Sequence, residues 1–197
     1  MEYHFFALLA RMRYIGRWAL MRNTEPENVQ EHSHMVAVLA HALAVIQNRC
    51  YGGTVDPGQA ALLALYHDAT EILTGDLPTP IKYYNPTLRR DYQAVEEAAA
   101  RQLLELLPPE LREDYRPWLT DTPDPELAAV VKAADKLDAY LKCVREGKAG
   151  NTEFRKAREQ IWAALEENPL PALRHFIEHY LPSFELTLDE LNGSTIS

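Results

Sequence analysis

Residues 60–71 read Ala60-Ala61-Leu62-Leu63-Ala64-Leu65-Tyr66-His67-Asp68-Ala69-Thr70-Glu71, an apolar pattern that ends in three ionisable side chains. Ala and Leu are strong helix formers, so we predict a buried helix here. His67, Asp68 and Glu71 lie within about one helical turn and can share one side of it. Burying carboxylates is costly unless a cation or strong donors compensate. A bound metal ion is therefore the favoured interpretation, with an ion-pair network or an exposed polar patch as alternatives.

The helical pattern continues through the whole chain of 197 residues. It contains 52 Leu and Ala against 16 Val and Ile, a ratio that favours helices over strands. Helix signals separated by Pro or Gly predict helices at 2–15, 28–49, 57–73, 87–107, 109–119, 125–146, 151–167 and 170–180. We therefore predict an all-α, single-domain bundle of roughly seven or eight helices over residues 1–191, with a frayed tail at 192–197.

Composition and charge argue against several other classes of protein. No apolar run approaches the roughly 18 residues of a membrane span, so no membrane association is expected. The amino terminus lacks the pattern of a signal peptide, which predicts a cytoplasmic protein. A net charge of -9 opposes binding to polymeric nucleic acid, because that binding depends on clustered Lys and Arg. Cys50 and Cys143 are isolated, so neither a disulfide framework nor a thiolate metal site is expected.

The third predicted helix, 57–73, is followed by Gly75-Asp76-Leu77-Pro78-Thr79-Pro80, which contains two prolines within three positions. Proline removes a backbone donor and restricts the residue before it to extended conformations. We therefore predict a stiff, non-helical loop that holds Asp76 close to the end of the third helix.

Helical periodicity separates the three histidines of the second predicted helix. His32 shares a face with the apolar residues Val36 and Leu39, whereas His34 and His41 lie on the opposite side. His32 is therefore expected to point into the core. The competing interpretation is a core histidine that is hydrogen-bonded to a neighbour and has no chemical role.

A further carboxylate is expected from the sixth predicted helix, where small residues in 133–140 allow another helix to approach closely. Asp135 and Asp138 both lie there, within one turn of each other. Either one could instead pair with a nearby lysine of the same helix. The pattern alone does not choose between them.

Several segments together carry a more specific resemblance. They are Gly16-Arg17-Trp18, Asn28-Val29-Gln30-Glu31-His32-Ser33, Tyr66-His67-Asp68-Ala69-Thr70-Glu71 and Thr74-Gly75-Asp76-Leu77-Pro78-Thr79-Pro80. With the later Asp135, the histidines and aspartates resemble the H…HD…D signature of HD-domain metal-dependent phosphohydrolases. The whole set resembles the bacterial 5′-deoxynucleotidases of the YfbR type, and the similarity extends from His4 to Glu190.

This resemblance implies an HD-domain helical bundle that forms a homodimer. It also implies hydrolysis of a small-molecule substrate, a deoxyribonucleoside 5′-monophosphate, to the deoxynucleoside and phosphate. The metal ligands of the family fall on His32, His67, Asp68 and Asp135, so the resemblance chooses Asp135 over Asp138. Two imidazoles and two carboxylates suit a divalent transition metal, with cobalt or manganese expected first and zinc or copper as further candidates.

The resemblance also assigns residues to the substrate and to catalysis. The substrate-binding residues are Arg17, Trp18, His32, Asp68, Asp76, Leu77, Pro78, Thr79 and Asp135, and the catalytic residues are Glu71, Asp76 and Arg17. Glu71 and Asp76 are the candidates for activating water and for protonating the leaving 5′ oxygen, and their division of labour stays open. A family acidic residue falls near Asp121, where the spacing in this chain is altered.

Arg17 and Trp18 have chemical properties that fit these roles. A guanidinium matches phosphate with two parallel hydrogen bonds, although an arginine can equally form a surface ion pair. An indole can stack on any base or form a wall beside the 2′ carbon of the sugar, although a tryptophan can equally be core packing. We therefore expect broad base tolerance with selection for the deoxy sugar.

Three other functions are compatible with parts of the sequence. An HD hydrolase acting on a cyclic dinucleotide, a triphosphate or an alarmone would share the metal ligands. A di-iron carboxylate bundle needs two E-x-x-H elements, and only Glu31 to His34 fits. A non-catalytic helical scaffold would leave the polar residues as an ion-pair network.

Overall fold

The computed structural model describes residues 2–82 and 84–193, except for the side chains of Thr79 and Pro80. Its α-helices are α1 (Phe5–Leu9), α2 (Val29–Tyr51), α3 (Pro57–Tyr66), α4 (Glu71–Thr74), α5 (Thr79–Lys82), α6 (Pro86–Glu105), α7 (Arg112–Leu119), α8 (Pro125–Lys148), α9 (Arg155–Glu166), α10 (Pro171–His179) and α11 (Leu188–Gly193). Within the described residues there is no β-strand, only an isolated antiparallel bridge between Gly16 and Asn28. The prediction of an all-α fold is confirmed.

Helix α2 begins at a position that is fixed by local hydrogen bonds. The side chain of Asn28 accepts from the backbone N–H of Glu31, and the Glu31 carboxylate accepts from the backbone N–H of Asn28. This reciprocal pair satisfies two backbone donors that the first turn of a helix leaves free. The helix ends at Gly52, whose φ of 71° is easily adopted by glycine. His32 therefore sits in the first, well-anchored turn of α2.

The main hydrophobic core lies between α2, α3, α8, α9 and α10. Its fully buried members include Leu43 of α2, Ala64 of α3 and Leu137 of α8. A smaller cluster joins Phe5 of α1 and Leu103 of α6 to Ala69, the residue that follows His67-Asp68. The residues on either side of the His67-Asp68 turn, Ala64 and Ala69, therefore belong to different clusters.

The third predicted helix, 57–73, is wrong in one respect that matters for the site. Helix α3 ends at Tyr66, and residues 67–70 form a turn before α4. In this turn Ala69 N–H bonds to Tyr66 O at 3.0 Å, and Glu71 N–H bonds to Asp68 O at 3.1 Å. These bonds span three residues instead of four, which tightens the backbone. The side chains of His67 and Asp68 therefore project from a tight turn and not from a regular helix.

Two other sequence predictions also differ from the structure. The first helix covers only Phe5–Leu9 and continues as a 3₁₀ turn, Ala10–Tyr14. The segment 75–80 is not free of helix, because α5 begins at Thr79. A proline is tolerated in the first turn of a helix, where its missing N–H would have no helical partner.

The carboxyl end of the chain and the hydropathy of the helices bear on two further predictions. Helix α11 reaches Gly193, and the tail prediction concerning 194–197 falls outside the described residues. Among the residues that the structure describes, no helix is both long and apolar enough to cross a membrane.

We expect Leu43→Ala to lower the free energy of unfolding by about 2–5 kcal/mol, because it opens a cavity where α2 meets the main core. Urea unfolding followed by circular dichroism measures this loss. Leu188→Ala is the matched control, since Leu188 is 72% exposed and its truncation should change the free energy by less than about 0.5 kcal/mol. Equal losses in the two variants would contradict the assigned core.

Candidate active site

The two imidazoles at the centre of the site are oriented by hydrogen bonds on the same ring position. His32 Nδ1 lies 2.7 Å from Asp138 Oδ2, and His67 Nδ1 lies 2.6 Å from the backbone carbonyl oxygen of Ala64. When the imidazoles are neutral, as metal binding requires, both acceptors favour a proton on Nδ1, so Nε2 is the nitrogen that can bind a cation. The ring centroids are 5.3 Å apart, so the two Nε2 atoms face a common region.

Asp135 and Asp138 lie on opposite sides of the His32 ring. Asp138 is buried and accepts from Nδ1, whereas Asp135 Oδ1 lies 3.1 Å from Nε2. One nitrogen of His32, one of His67 and one carboxylate oxygen of Asp135 all lie within 4.8 Å of one another. The geometry therefore gives the two aspartates different positions: Asp135 faces the ion-binding side, and Asp138 supports the histidine from behind.

Asp68 completes the cluster from the turn after α3. Its Oδ2 lies 3.2 Å from His67 Nε2 and 3.6 Å from His32 Nε2. The same oxygen accepts a hydrogen bond of 3.4 Å from Arg17 Nη1. Asp68 is therefore adjacent to both imidazoles and to the one arginine that the sequence singled out, although it is not part of the compact group of His32, His67 and Asp135.

The donor set fits a divalent cation. Both His32 Nε2 and His67 Nε2 are buried, and neither has a hydrogen-bond partner of acceptable geometry among the described residues. Buried polar atoms are rarely left without a partner unless a ligand or ion takes that place. Nitrogen and carboxylate oxygen donors are those that borderline ions such as Mn²⁺, Co²⁺ and Zn²⁺ accept. His32, His67, Asp68 and Asp135 could therefore hold a metal ion together.

The electrostatics of the cluster follow from its crowding. Burial lowers the pKa of His32, but the neighbouring Asp135 and Asp138 carboxylates outweigh burial and raise it to about 9. Burial raises the pKa of Asp135, but the contact with His32 and the charge of His67 lower it overall. The carboxylates thus concentrate negative charge, which favours a cation at this point.

Glu71 begins α4 and is buried beside this cluster. One of its carboxylate oxygens, Oε2, is buried and has no hydrogen-bond partner among the described residues. Burial is the main reason that the pKa of Glu71 rises to about 9, and the charges of Asp68 and Asp76 raise it further. A carboxyl group of this kind can hold a proton close to neutral pH.

The loop residues predicted to contact substrate are Asp76, Leu77, Pro78 and Thr79, and they differ in their surroundings. Burial raises the pKa of Asp76, while Arg17 and a hydrogen bond from the backbone N–H of Trp18 lower it in part. Asp76 is therefore close to both members of the Arg17-Trp18 pair. Leu77 and Pro78 are half-buried, and the side chain of Thr79 lies outside the described residues.

A residue that the sequence analysis did not select, Glu27, holds the Arg17-Trp18 pair. Its Oε1 accepts from Arg17 Nε at 3.0 Å and from Trp18 Nε1 at 3.3 Å. Glu27 is buried even though it belongs to the polar run before α2. The only sequence signal was its position directly before the Asn28 cap, since no apolar periodicity marks it as buried.

The remaining sequence candidates lie away from the cluster. His34 and His41 are exposed, as periodicity predicted. Asp121 is exposed after the end of α7, and its charge acts on Arg116. These positions give no support to a role for Asp121 in the site.

Two solved structures with the same architecture are HD phosphohydrolases. An HD-domain phosphohydrolase from Listeria innocua matches with a TM-score of 0.80 and 24% sequence identity, over 92% of this chain and 88% of that chain. The HD phosphohydrolase DatZ of cyanophage S-2L, solved with dA and one catalytic Zn²⁺ ion, matches with a TM-score of 0.62 and 23% identity, over 92% and 96% of the two chains. The chain therefore has the fold of HD-domain phosphohydrolases.

The sequence comparisons narrow this class to one family. The model of the YfbR-like 5′-deoxynucleotidase family matches residues 4–184. A 5′-deoxynucleotidase from Vibrio cholerae is 53% identical over 192 residues, which cover 97% of this chain and 99% of that protein. The chain belongs to the YfbR-like 5′-deoxynucleotidase family, as the sequence motifs predicted.

Metal binding tests the different positions of Asp135 and Asp138. We expect Asp135→Ala to abolish stoichiometric binding of Mn²⁺ or Co²⁺, because it removes a candidate ligand. Asp138→Ala should weaken the affinity by about 10–100-fold, because it releases the His32 ring. Isothermal titration calorimetry with the purified protein measures both effects.

The control for this titration is His34→Ala, which removes an exposed imidazole of the same helix and should leave metal affinity unchanged. Full metal binding by Asp135→Ala, combined with its loss in Asp138→Ala, would reverse the assignment of the two carboxylates.

Proposed function

We propose that this protein is a metal-dependent 5′-deoxynucleotidase, which hydrolyses deoxyribonucleoside 5′-monophosphates to the deoxynucleoside and inorganic phosphate. The observation that carries the proposal is the convergence of one ring nitrogen of His32, one ring nitrogen of His67 and one carboxylate oxygen of Asp135 within 4.8 Å, with Arg17 bonded to the adjacent Asp68. Membership of the YfbR-like family, at 53% identity to a named 5′-deoxynucleotidase, supports the same reaction.

The proposed metal ligands are His32, His67, Asp68 and Asp135. A divalent cation bound there would make water more acidic and would stabilise negative charge on the phosphoryl oxygens. The protein contributes the fixed orientation of the ligands, because the Nδ1 hydrogen bonds hold both imidazole rings. Cobalt or manganese as the native ion, with zinc or copper as further candidates, stays a prediction.

Arg17 is the proposed phosphate-binding residue. Its Nε is bonded to Glu27, so the terminal nitrogens of the guanidinium are the ones available to the substrate. Nη1 already lies against Asp68 at 3.4 Å, which places the positive charge beside the proposed metal ligands. In a chain of net charge -9, such a local cation is needed to attract a phosphate dianion.

Glu71 and Asp76 are the proposed acid and base groups. Glu71 presents a buried oxygen without a partner among the described residues, and Asp76 lies close enough to Arg17 and to the Trp18 backbone N–H for both to lower its pKa in part. Between them they orient the attacking water and deliver a proton to the leaving 5′ oxygen. Leu77, Pro78 and Thr79, which follow Asp76 in the same loop, are proposed to contact the substrate.

Trp18 is the proposed determinant of sugar and base preference. Its ring is tilted against Phe154 with centroids 5.3 Å apart, and its Nε1 donates to Glu27. One face of a half-buried indole fixed in this way can contact the nucleoside. Stacking accepts every base, whereas a rigid wall beside the 2′ carbon excludes an added hydroxyl. The homodimer implied by the family resemblance and the cytoplasmic location predicted from the amino-terminal sequence stay predictions.

A substrate panel tests the proposed reaction. We expect phosphate release from the five common deoxyribonucleoside 5′-monophosphates in the presence of Mn²⁺ or Co²⁺, and its loss with EDTA. The rate with dAMP should exceed that with AMP by at least about tenfold, which corresponds to about 1.4 kcal/mol in the barrier. Asp68→Ala should reduce the rate by more than about 100-fold, because it removes a proposed metal ligand.

The same panel includes deoxynucleoside triphosphates, cyclic dinucleotides and an alarmone, which are substrates of the alternative functions. Turnover of one of these in preference to dAMP would replace the proposed substrate. Phosphate release that survives both EDTA and Asp68→Ala would refute a metal-dependent reaction in this site.

The role of Glu71 is tested by Glu71→Gln, which preserves the size of the buried side chain but cannot exchange a proton. We expect kcat for dAMP to fall by about 10²–10⁴-fold, while calorimetry shows metal affinity close to that of the unaltered protein. Glu178→Gln, an exposed substitution on α10, is the control and should leave kcat unchanged. If Glu71→Gln keeps normal kcat, the proton is handled by another group.

A further inference from the structure

We propose that Glu27 is a positioning residue that orients Arg17 and Trp18 together and thereby sets the discrimination between deoxyribose and ribose. This inference rests on the proposed 5′-deoxynucleotidase function. The side chain of Glu27 is only 6% exposed, and it lies in the connection that leads into α2. A carboxylate in such a place must be held by several donors.

Each oxygen of the Glu27 carboxylate has a separate set of partners. Oε1 accepts from both Arg17 Nε (3.0 Å) and Trp18 Nε1 (3.3 Å), and Oε2 accepts from Arg145 Nη2 (2.8 Å). The backbone carbonyl oxygen of Glu27 also accepts from the Arg17 backbone N–H at 2.9 Å. One side chain therefore fixes the direction of the phosphate-binding guanidinium and of the indole at the same time.

The backbone at Trp18 shows why such support is needed. Trp18 has a φ of 59°, and among the described residues it is the only non-glycine with positive φ. This conformation is strained for a bulky side chain and persists only where its surroundings hold it. The Nε1 bond to Glu27 and the ring contact with Phe154 supply that restraint.

Helix α8 anchors this arrangement at two places. Arg145 binds Glu27 from the last turns of α8. The next residue, Glu146, accepts from the hydroxyl of Thr24 at 2.6 Å and from its backbone N–H at 3.0 Å. Helix α8 also carries Asp135, a proposed metal ligand. The segment that presents Arg17 and Trp18 is therefore held by the helix that carries this ligand.

Glu27 also lies close enough to His32 and Asp138 for the three to share an ion. Their hydrogen bonds argue for a supporting role instead. Asp138 already accepts from His32, and Glu27 already accepts from three donors. The carboxylate thus acts on the substrate through Arg17 and Trp18 and not through a second cation.

Glu27→Gln tests the inference with almost no change in side-chain volume. An amide has a single acceptor oxygen, so its NH₂ group must face either Arg145 or the pair of Arg17 and Trp18. We expect KM for dAMP to rise by about tenfold and the dAMP-to-AMP ratio of kcat/KM to fall by at least about fivefold. Metal affinity should stay unchanged. Glu25→Gln is the matched control, since Glu25 is exposed in the same segment and loses the same charge.

A second measurement does not depend on turnover. The chain has three tryptophans, so the indole N–H region of a ¹⁵N NMR spectrum is simple, and Trp18→Phe assigns the Trp18 signal. We expect this signal to move in Glu27→Gln and to stay in place in Glu25→Gln. Arg145→Gln, which removes the donor to Oε2 from a half-exposed position, should shift it in the same direction.

Two outcomes would overturn the inference. One is an unchanged dAMP-to-AMP ratio of kcat/KM in a folded Glu27→Gln protein, which includes an equal fall in activity on both substrates, and the other is an unmoved Trp18 signal. If Glu27→Gln fails to fold, the dAMP-to-AMP ratio and the Trp18 signal are measured in Arg145→Gln instead. If neither changes in that variant, the positioning role of Glu27 is refuted. Failure of the unaltered protein to hydrolyse any deoxynucleotide would refute the proposed function, whereas an unmoved signal refutes the positioning role alone.

Discussion

The orientation of two imidazole rings is the constraint on which the site depends. His32 Nδ1 is held by Asp138 of α8, and His67 Nδ1 is held by a carbonyl oxygen of α3. With both Nδ1 atoms engaged, the Nε2 atoms point to a shared space that Asp68 and Asp135 border. Without these two bonds the rings could rotate about their side-chain torsions, and the four candidate ligands would no longer converge.

Several charged groups meet at the turn formed by residues 67–70 and at the start of α4. The side chains of His67 and Asp68 converge although the residues are adjacent, since Asp68 Oδ2 lies 3.2 Å from His67 Nε2. Helix α4 then begins at Glu71, whose carboxyl group lies near Asp68 and Asp76. The resulting repulsion is balanced by Arg17, which reaches Asp68 from the segment before α2.

The sequence predicted the parts of this site that follow a regular period. His32 was correctly placed in the core because apolar residues recur along its face of α2. Asp135 and Asp138 were not separable by pattern, since the difference lies in which nitrogen of His32 each one faces. The break after Tyr66 was missed because apolar periodicity continues across it. Glu27 was missed because only tertiary hydrogen bonds, not neighbouring residues, account for its burial.

Helix α8 has a mechanical consequence for the site. It carries Asp135 and Asp138. Through Arg145 and Glu146 it is also hydrogen-bonded to the segment before α2, which presents Arg17 and Trp18. A substitution that shifts α8 is therefore expected to act on these groups together. Asp68 lies elsewhere, in the turn after α3 that packs against Phe5 and Leu103 through Ala69. Arg17 donates to Glu27 from Nε and to Asp68 from Nη1, so this one guanidinium couples the α8 side of the site to the turn that carries Asp68.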